Sequence, residues 1–328
     1  MIKKHAFSLI ELLLGLLILS IVVAIIYPTF QTYNRTSKVQ EDAMKLNQNL
    51  DVCINYIEHA IQMAGYGCKY SLEFQNKSVN GYSTVFTAVD GGTGGDDTLT
   101  VVYADRVFGQ VTKDLAGNSS YSGNIIYTNS TNANLLDSNL KKYVFIDRNP
   151  FNQFFELIAD PQSISGKVAI FIDNSSNLEV YENDYVYAVR AITISYDATD
   201  QEIEINDNVG GSNQPLASWI EALQFQYGID VNGDGIFDDT DSDGNPLDNT
   251  IPAGKEFYVK LVRVSVLGRS PNPDPTYRDP NGSYTVGNKV ITIDTDDTNG
   301  INSTYDTHYR RRLITIDIVP RNFQYETF

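Results

Sequence analysis

Between Phe7 and Tyr27 the chain runs through twenty-one residues of apolar character, interrupted only by Ser8, Glu11, Gly15 and Ser20. At about 1.5 Å per residue, a helix of that length covers about 30 Å, the thickness of a bilayer hydrocarbon core. The preceding residues, MIKKHA, carry Lys3 and Lys4, and such a cationic flank stays on the cytoplasmic side. The chain after Pro28 is therefore predicted to lie outside the cytoplasm. A secretory signal also opens with positive charge, but its apolar stretch is shorter and ends at a small-residue cleavage site. The anomaly is Glu11, because a carboxylate in a membrane helix costs about 2.5–3.5 kcal/mol on insertion scales and marks a functional position.

Helical periodicity continues past the apolar run. Val39, Ala43, Leu46, Leu50, Cys53, Ile57, Ala60 and Ala64 recur in steps of four and three, while Lys38, Glu41, Asp42, Lys45, Asp51 and Glu58 fall on other faces. Gly65 and Gly67 supply the stop. The stripe can be covered by the chain's own sheet or by a partner helix in a coiled coil, and the first is the commoner outcome. From Cys68 onward the pattern changes to short strands between Gly, Asn, Asp and Ser clusters. Strands are predicted at 98–104, 124–128, 142–146, 167–173, 185–196, 219–227, 256–268, 289–294 and 310–319. In two of them the alternation is clean: Val262, Val264 and Val266 oppose Arg263 and Ser265, and Ile314, Ile316 and Ile318 oppose Thr315 and Asp317.

Composition agrees with this division. Tyr (21) outnumbers Phe (15), which suits half-buried strand faces, and 42% hydrophobic residues suffice for a sizeable core. The formal charge of −17 argues against a nucleic-acid partner, since phosphate binding needs clustered cations. The fold class expected is α+β: a long N-terminal helix, membrane-spanning in its first half and amphipathic in its second, packed on a mainly antiparallel β-rich globular domain.

The segment KKHAFSLIELLLGLLILSIVVAIIYP resembles the N-terminal signal of type IV prepilins and type II secretion pseudopilins. That resemblance implies cleavage by a prepilin peptidase between Ala6 and Phe7, followed by N-methylation of Phe7. Ala6 stands where the family usually has Gly. Glu11 becomes the fifth mature residue, where the family keeps a Glu, and Pro28 the twenty-second, where many members have a helix-bending proline. Glu11 would then accept the charge of a neighbouring subunit's Phe7 amine, turning two costly buried charges into one pair on assembly. IQMAGYGC, GGDDTLTVVYA, ALQFQYGIDVNGDG, LVRVSVLGRS and YRRRLITIDIVPRN resemble, in order, the PilW-type minor pilins. Implied are a leader at 1–6, a transmembrane and assembly helix at 7–28, its amphipathic continuation at 29–65 and an extracytoplasmic β-rich domain at 66–328. The partners implied are other minor and major pilins, the peptidase and the bacterial inner membrane, with later display on the pilus or cell surface. A pseudopilin role and a tip-displayed adhesin are the alternatives.

Two further features bear on chemistry. Cys53 and Cys68 would meet an oxidising compartment, so a disulfide pinning the helix end is expected; two inert buried thiols are the plain alternative. In DVNGDGIFDDTD (230–241), Asp230, Asn232, Asp234, Asp238 and Asp241 place oxygens at loop positions 1, 3, 5, 9 and 12, with Gly235 at 6 and the Ile236 carbonyl at 7. That is calcium-loop spacing in a β context, and a solvated acidic turn is its rival. No nucleophile elbow, phosphate loop, dinucleotide fingerprint or HExxH occurs, so the chain is expected not to be an enzyme. Trp219 is expected in the core, Arg310–Arg312 in surface ion pairs, and GGTGG (91–95) in a flexible turn.

Overall fold

In the computed structural model, the residues described are 9–68, 72, 77–121, 123–130, 133, 136, 143–147, 153–174, 179–232, 234, 236, 246–294 and 306–323. One helix, α1 (Leu9–Met63), takes up 55 of them and is about 80 Å long at the standard rise. Its second half buries Leu46, Leu50, Cys53, Ile54, Ile57, Ala60 and Ile61. Val39 and Ala43 begin the same stripe half-buried, because there the β domain starts to cover the helix. At the end of α1, Asn322 Nδ2 donates to the Met63 and Ala64 carbonyls (3.2 and 2.9 Å), and the Met63 carbonyl also accepts from Tyr66 N (2.9 Å). Gly65 (φ 73°) and Gly67 (φ 71°) then turn the chain. At Gly67 a Cβ would also lie 2.5 Å from the Phe145 ring, so no other residue fits.

Among the described residues, sixteen strands follow. They are β1 (Phe86–Val89), β2 (Thr98–Gln110), β3 (Ser120–Tyr121), β4 (Ile125–Thr128), β5 (Tyr143–Asp147), β6 (Gln153–Ile164), β7 (Lys167–Ile172) and β8 (Val180–Tyr181). The second group comprises β9 (Tyr185–Asp197), β10 (Glu202–Asn206), β11 (Gln214–Ser218), β12 (Ile220–Ile229), β13 (Val259–Arg269), β14 (Ser283–Val286), β15 (Lys289–Thr292) and β16 (Arg311–Ile318). The large sheet has the order β1-β2-β9-β5-β6-β7-β4, with β10 and β11 continuing from β9; a second sheet has the order β12-β13-β16. Pairs β14-β15 and β3-β8 stand apart, and the ladders are antiparallel. Long β9 pairs with β2 along one edge; on its other edge β5 takes the first part and β10 the last. The class is α+β, as expected. Each of the nine predicted strands has a counterpart.

Helix and both sheets share one core. Leu50, Ile57 and Ile61 of α1 meet Val101, Ile192 and Ile194 of the large sheet and Val262, Val264 and Val266 of the small one. Gly268 in β13 permits that approach, since a Cβ there would lie 2.9 Å from Leu46 Cδ1 and 3.0 Å from Leu50 Cδ2. A second core, with Ile126, Val144, Ile146, Phe155, Ile170 and Val186, fills the lobe built by residues 108–186.

Four expectations need correction. The second face of β13 is partly solvated at Leu261, Arg263 and Arg269, but Ser265 is buried, bonded to Thr315, and Leu267 is covered by the β14-β15 hairpin. Trp219 is half-buried at a left-handed bend (φ 60°) between β11 and β12, outside the core clusters. The glycine-rich segment forms a tight 3-10 turn (Gly92–Gly94), because Gly91 and Gly95 pack backbone against backbone where no Cβ fits. Cys53 and Cys68 share the main core, yet each is a free, buried thiol, and Cys68 Sγ donates to the Val102 carbonyl at 3.6 Å. The expected bridge is therefore not seen at this pair. Burial pushes the Cys53 thiol up to about 12 and the Cys68 thiol higher still, which keeps both unreactive.

Candidate functional site

The first half of α1 has no covering within its own fold. Leu9 is 77% exposed and Ile25 67%, and large apolar side chains remain exposed along the helix as far as Tyr33. Its most apolar window has a mean hydropathy of 3.0, long and apolar enough to cross a membrane. An apolar surface of this extent requires a bilayer or neighbouring helices around it. Glu11 lies in the first described turn of α1. Ala6 and Phe7 lie outside the described residues.

The helix continues without interruption through Pro28, whose missing N–H leaves the Ala24 carbonyl without its usual donor. Around it the hydroxyls fold back on the helix: Thr29 Oγ1 donates to Ile25 O (3.3 Å), Thr32 Oγ1 to Pro28 O and Thr36 Oγ1 to Thr32 O (both 3.0 Å). Such internal bonds leave no hydroxyl proton demanding water in an apolar medium.

Beyond the apolar stretch the helix meets the β domain first at Asp274, in the segment between β13 and β14. Arg35 Nη2 donates to Asp274 Oδ1 at 2.5 Å and Arg310 Nη2 to Oδ2 at 3.2 Å. Burial alone would raise this carboxyl, but bonds from Arg35, the Thr276 amide and Arg310 hold it down to about 2. Two turns further on, Asn272 Nδ2 donates to Asp42 at 3.1 Å. A cleft of about 710 Å³ opens between these contacts.

Sequence reasoning missed the interior charge. Arg311 expects solvent in a surface cluster, yet its side chain is fully buried, donating to Glu221 from Nε (2.7 Å) and Nη2 (2.9 Å), and to Asp279 from Nη1 (3.3 Å). Burial would lower the guanidinium, but Glu221 and Asp279 hold it raised. Arg310 and Arg312 point to the opposite face, Arg312 donating to Asn47 of α1 and Arg310 stacking on Tyr277. The signal for Arg311 was a single Glu at the start of the apolar strand IEALQFQY. A second unforeseen junction joins the sheets. Leu223 N donates to Asp96 Oδ1 (2.9 Å) and Phe225 N to Asp97 Oδ2 (2.7 Å), so two carboxylates close the outer edge of β12. Lys289 pairs with Asp96 at 2.5 Å, and burial, only partly offset by the Phe225 and Gly91 amides, raises Asp97 to about 6.

Four of the six proposed calcium ligands are described. Asp230 is buried, while Asn232, Asp234 and Ile236 are exposed. Asp234 N donates to Asn232 Oδ1 (2.9 Å) and Ile236 N to Asp234 Oδ1 (2.8 Å), two successive turns closed by side-chain oxygens. An oxygen-only donor set is calcium's in kind. Asp238 and Asp241 lie outside the described residues. Among the described residues no three His, Cys, Asp or Glu side chains are grouped to hold a metal.

Residues 181–322 match the family model described as Type IV Pilus-assembly protein W, and residues 1–27 match the prokaryotic N-terminal methylation motif. No curated protein matches the chain. A type IV-like pilin from Thermus thermophilus, TTHA1219, is similar at 11% identity over 58% of this chain and 92% of its own, with a TM-score of 0.22. The methylation motif and the uncovered apolar helix are together consistent with membrane anchoring.

Proposed function

We infer that this chain, a type IV pilin-like protein of the PilW type by its two family matches, is a minor pilin that primes or caps a type IV pilus. It is a structural subunit, not an enzyme. One observation carries this reading: α1 is bonded to its own domain along the second half and left bare along the first. In the inner membrane, lipid surrounds the bare half. In the assembled complex, the apolar halves of neighbouring subunits replace the lipid. Glu11 makes that exchange selective by accepting the charge of a neighbour's processed Phe7 amine within the apolar packing. The β domain is large for a narrow filament, which favours a tip or initiation position over repeated use in the shaft.

On this reading prepilin peptidase cuts between Ala6 and Phe7, the β domain is extracytoplasmic, and other pilins are the partners. The acidic loop takes calcium there, through Asp230, Asn232, Asp234, the Ile236 carbonyl, Asp238 and Asp241. The N-terminal residue of protein purified from its native cell tests the class: N-methyl-Phe7 supports it, and a retained Met1 overturns it. Glu11→Val tests the mechanism. That variant should still enter the membrane but fail to co-purify with pili, and normal incorporation would remove the role of the carboxylate.

A further inference from the structure

The cleft at the foot of the β domain lies where α1 leaves its apolar stretch. Arg35 is eight residues past Tyr27, the end of the apolar run, and Lys38 eleven, which puts them about 12 and about 16 Å further along the helix. The headgroup layer of a bilayer is about 5–8 Å thick on each side, and long cationic side chains reach back into it. Arg310 is brought to the same level because it shares Asp274 with Arg35. The guanidinium groups keep open edges, with the Arg35 side chain 48% and the Arg310 side chain 39% exposed. Lys38 lines the cleft, is exposed, and has no acceptor among the described residues.

Charge here runs against the rest of the molecule. Within a chain of net −17, the cleft lining carries four cations against three acids. Asp274 is paired with two arginines and Glu41 with Lys45 (2.7 Å), while Asp42 accepts from the neutral Asn272 amide and keeps its charge, so the lining is positive by one. The surplus is Lys38 together with the free guanidinium edges, on the side nearest the bilayer. A domain so acidic is otherwise repelled by an anionic surface.

We propose that this cleft seats the phosphate of an anionic phospholipid from the leaflet that α1 leaves, with Lys38, Arg35 and Arg310 as donors. The lipid docks the β domain at a fixed height on the membrane until the helix is extracted. The proposal rests on α1 being a membrane helix, but not on Glu11 or on the tip position.

The full chain, placed in nanodiscs of phosphatidylcholine with or without phosphatidylglycerol, provides the test by amide hydrogen exchange across 268–280. Phosphatidylglycerol should slow exchange there by about fivefold or more, the weight of one cation at an anionic surface. Lys38→Gln should abolish that difference, and Lys38→Arg should retain it. Equal exchange in both lipids, or a Lys38→Gln response like wild type, overturns the proposal. So does equal protection by millimolar inorganic phosphate in detergent, which would make the cleft a free-anion site. Failure of the chain to co-elute with discs would instead remove the membrane reading beneath it, and is scored separately by size exclusion.

Discussion

Asp97 and Arg311 show two opposite uses of buried charge. Burial lifts the Asp97 carboxyl to about 6, whereas unfolded it releases its proton near 4. Between those values the native state binds more protons than the unfolded one, so stability falls as pH rises through this window. Asp97→Asn removes the titration while keeping an acceptor for the Phe225 amide. Relative to wild type it should gain on the order of 2 kcal/mol at pH 7 over its effect at pH 4, read by urea denaturation at the two pH values. Asp274 works with the other sign. Its lowered carboxyl stabilises the helix contact above about pH 4, and that contribution is lost as pH falls towards 2. Arg311, by contrast, compensates Glu221 and Asp279 in a dry interior. Arg311→Met removes the guanidinium from Asp279 and the bidentate partner of Glu221, leaving the latter only Arg269 at 3.9 Å, a loss of about 3–5 kcal/mol. Denaturation at neutral pH would show it, and a loss below 1 kcal/mol would mean that water reaches the site.

Among the elements, α1 and β13 depend on each other. The stripe Leu46, Leu50, Cys53, Ile57 and Ala60 was predictable from spacing alone, because a period of 3.6 needs no knowledge of the partner. The chain's own sheet was the expected partner and is the one found, but which sheet was not predictable, since two share the stripe. Gly268 marks the point of closest approach, and within a strand prediction it reads only as a weak position. Gly268→Ala should push Leu46 and Leu50 outward at a cost of about 1–3 kcal/mol. Thermal melting would register this, and an unchanged midpoint would show that the leucines repack freely. The strands missed were β1, β3, β6, β8, β10, β11 and β14. Several are short edges or carry polar residues, and β11 contains Pro215, which argues against a strand by propensity.

At the scale of the whole molecule, a helix anchored along one half carries two sheets joined through the Asp96–Asp97 junction. The acidic loop after β12 adds a test of compartment. If it takes calcium, millimolar calcium added after chelation should raise the melting temperature by about 2–4 °C, the response of a large domain to about 1 kcal/mol of ligand stabilisation. An unchanged midpoint would leave DVNGDGIFDDTD a solvated turn.

Sequence by itself determined what is local: the length and polarity of α1, the odd carboxylate at Glu11, the stop at Gly65 and Gly67, and the positions of nine strands. Each follows from a short-range period or from the conformational freedom of one residue. Only the tertiary structure decided what depends on surroundings. It left Cys53 and Cys68 as separate thiols, made Arg311 interior rather than surface, closed GGTGG into a tight turn, and set Trp219 outside the core. Burial and ionisation belong to the packed environment, and residues distant in the chain create that environment together.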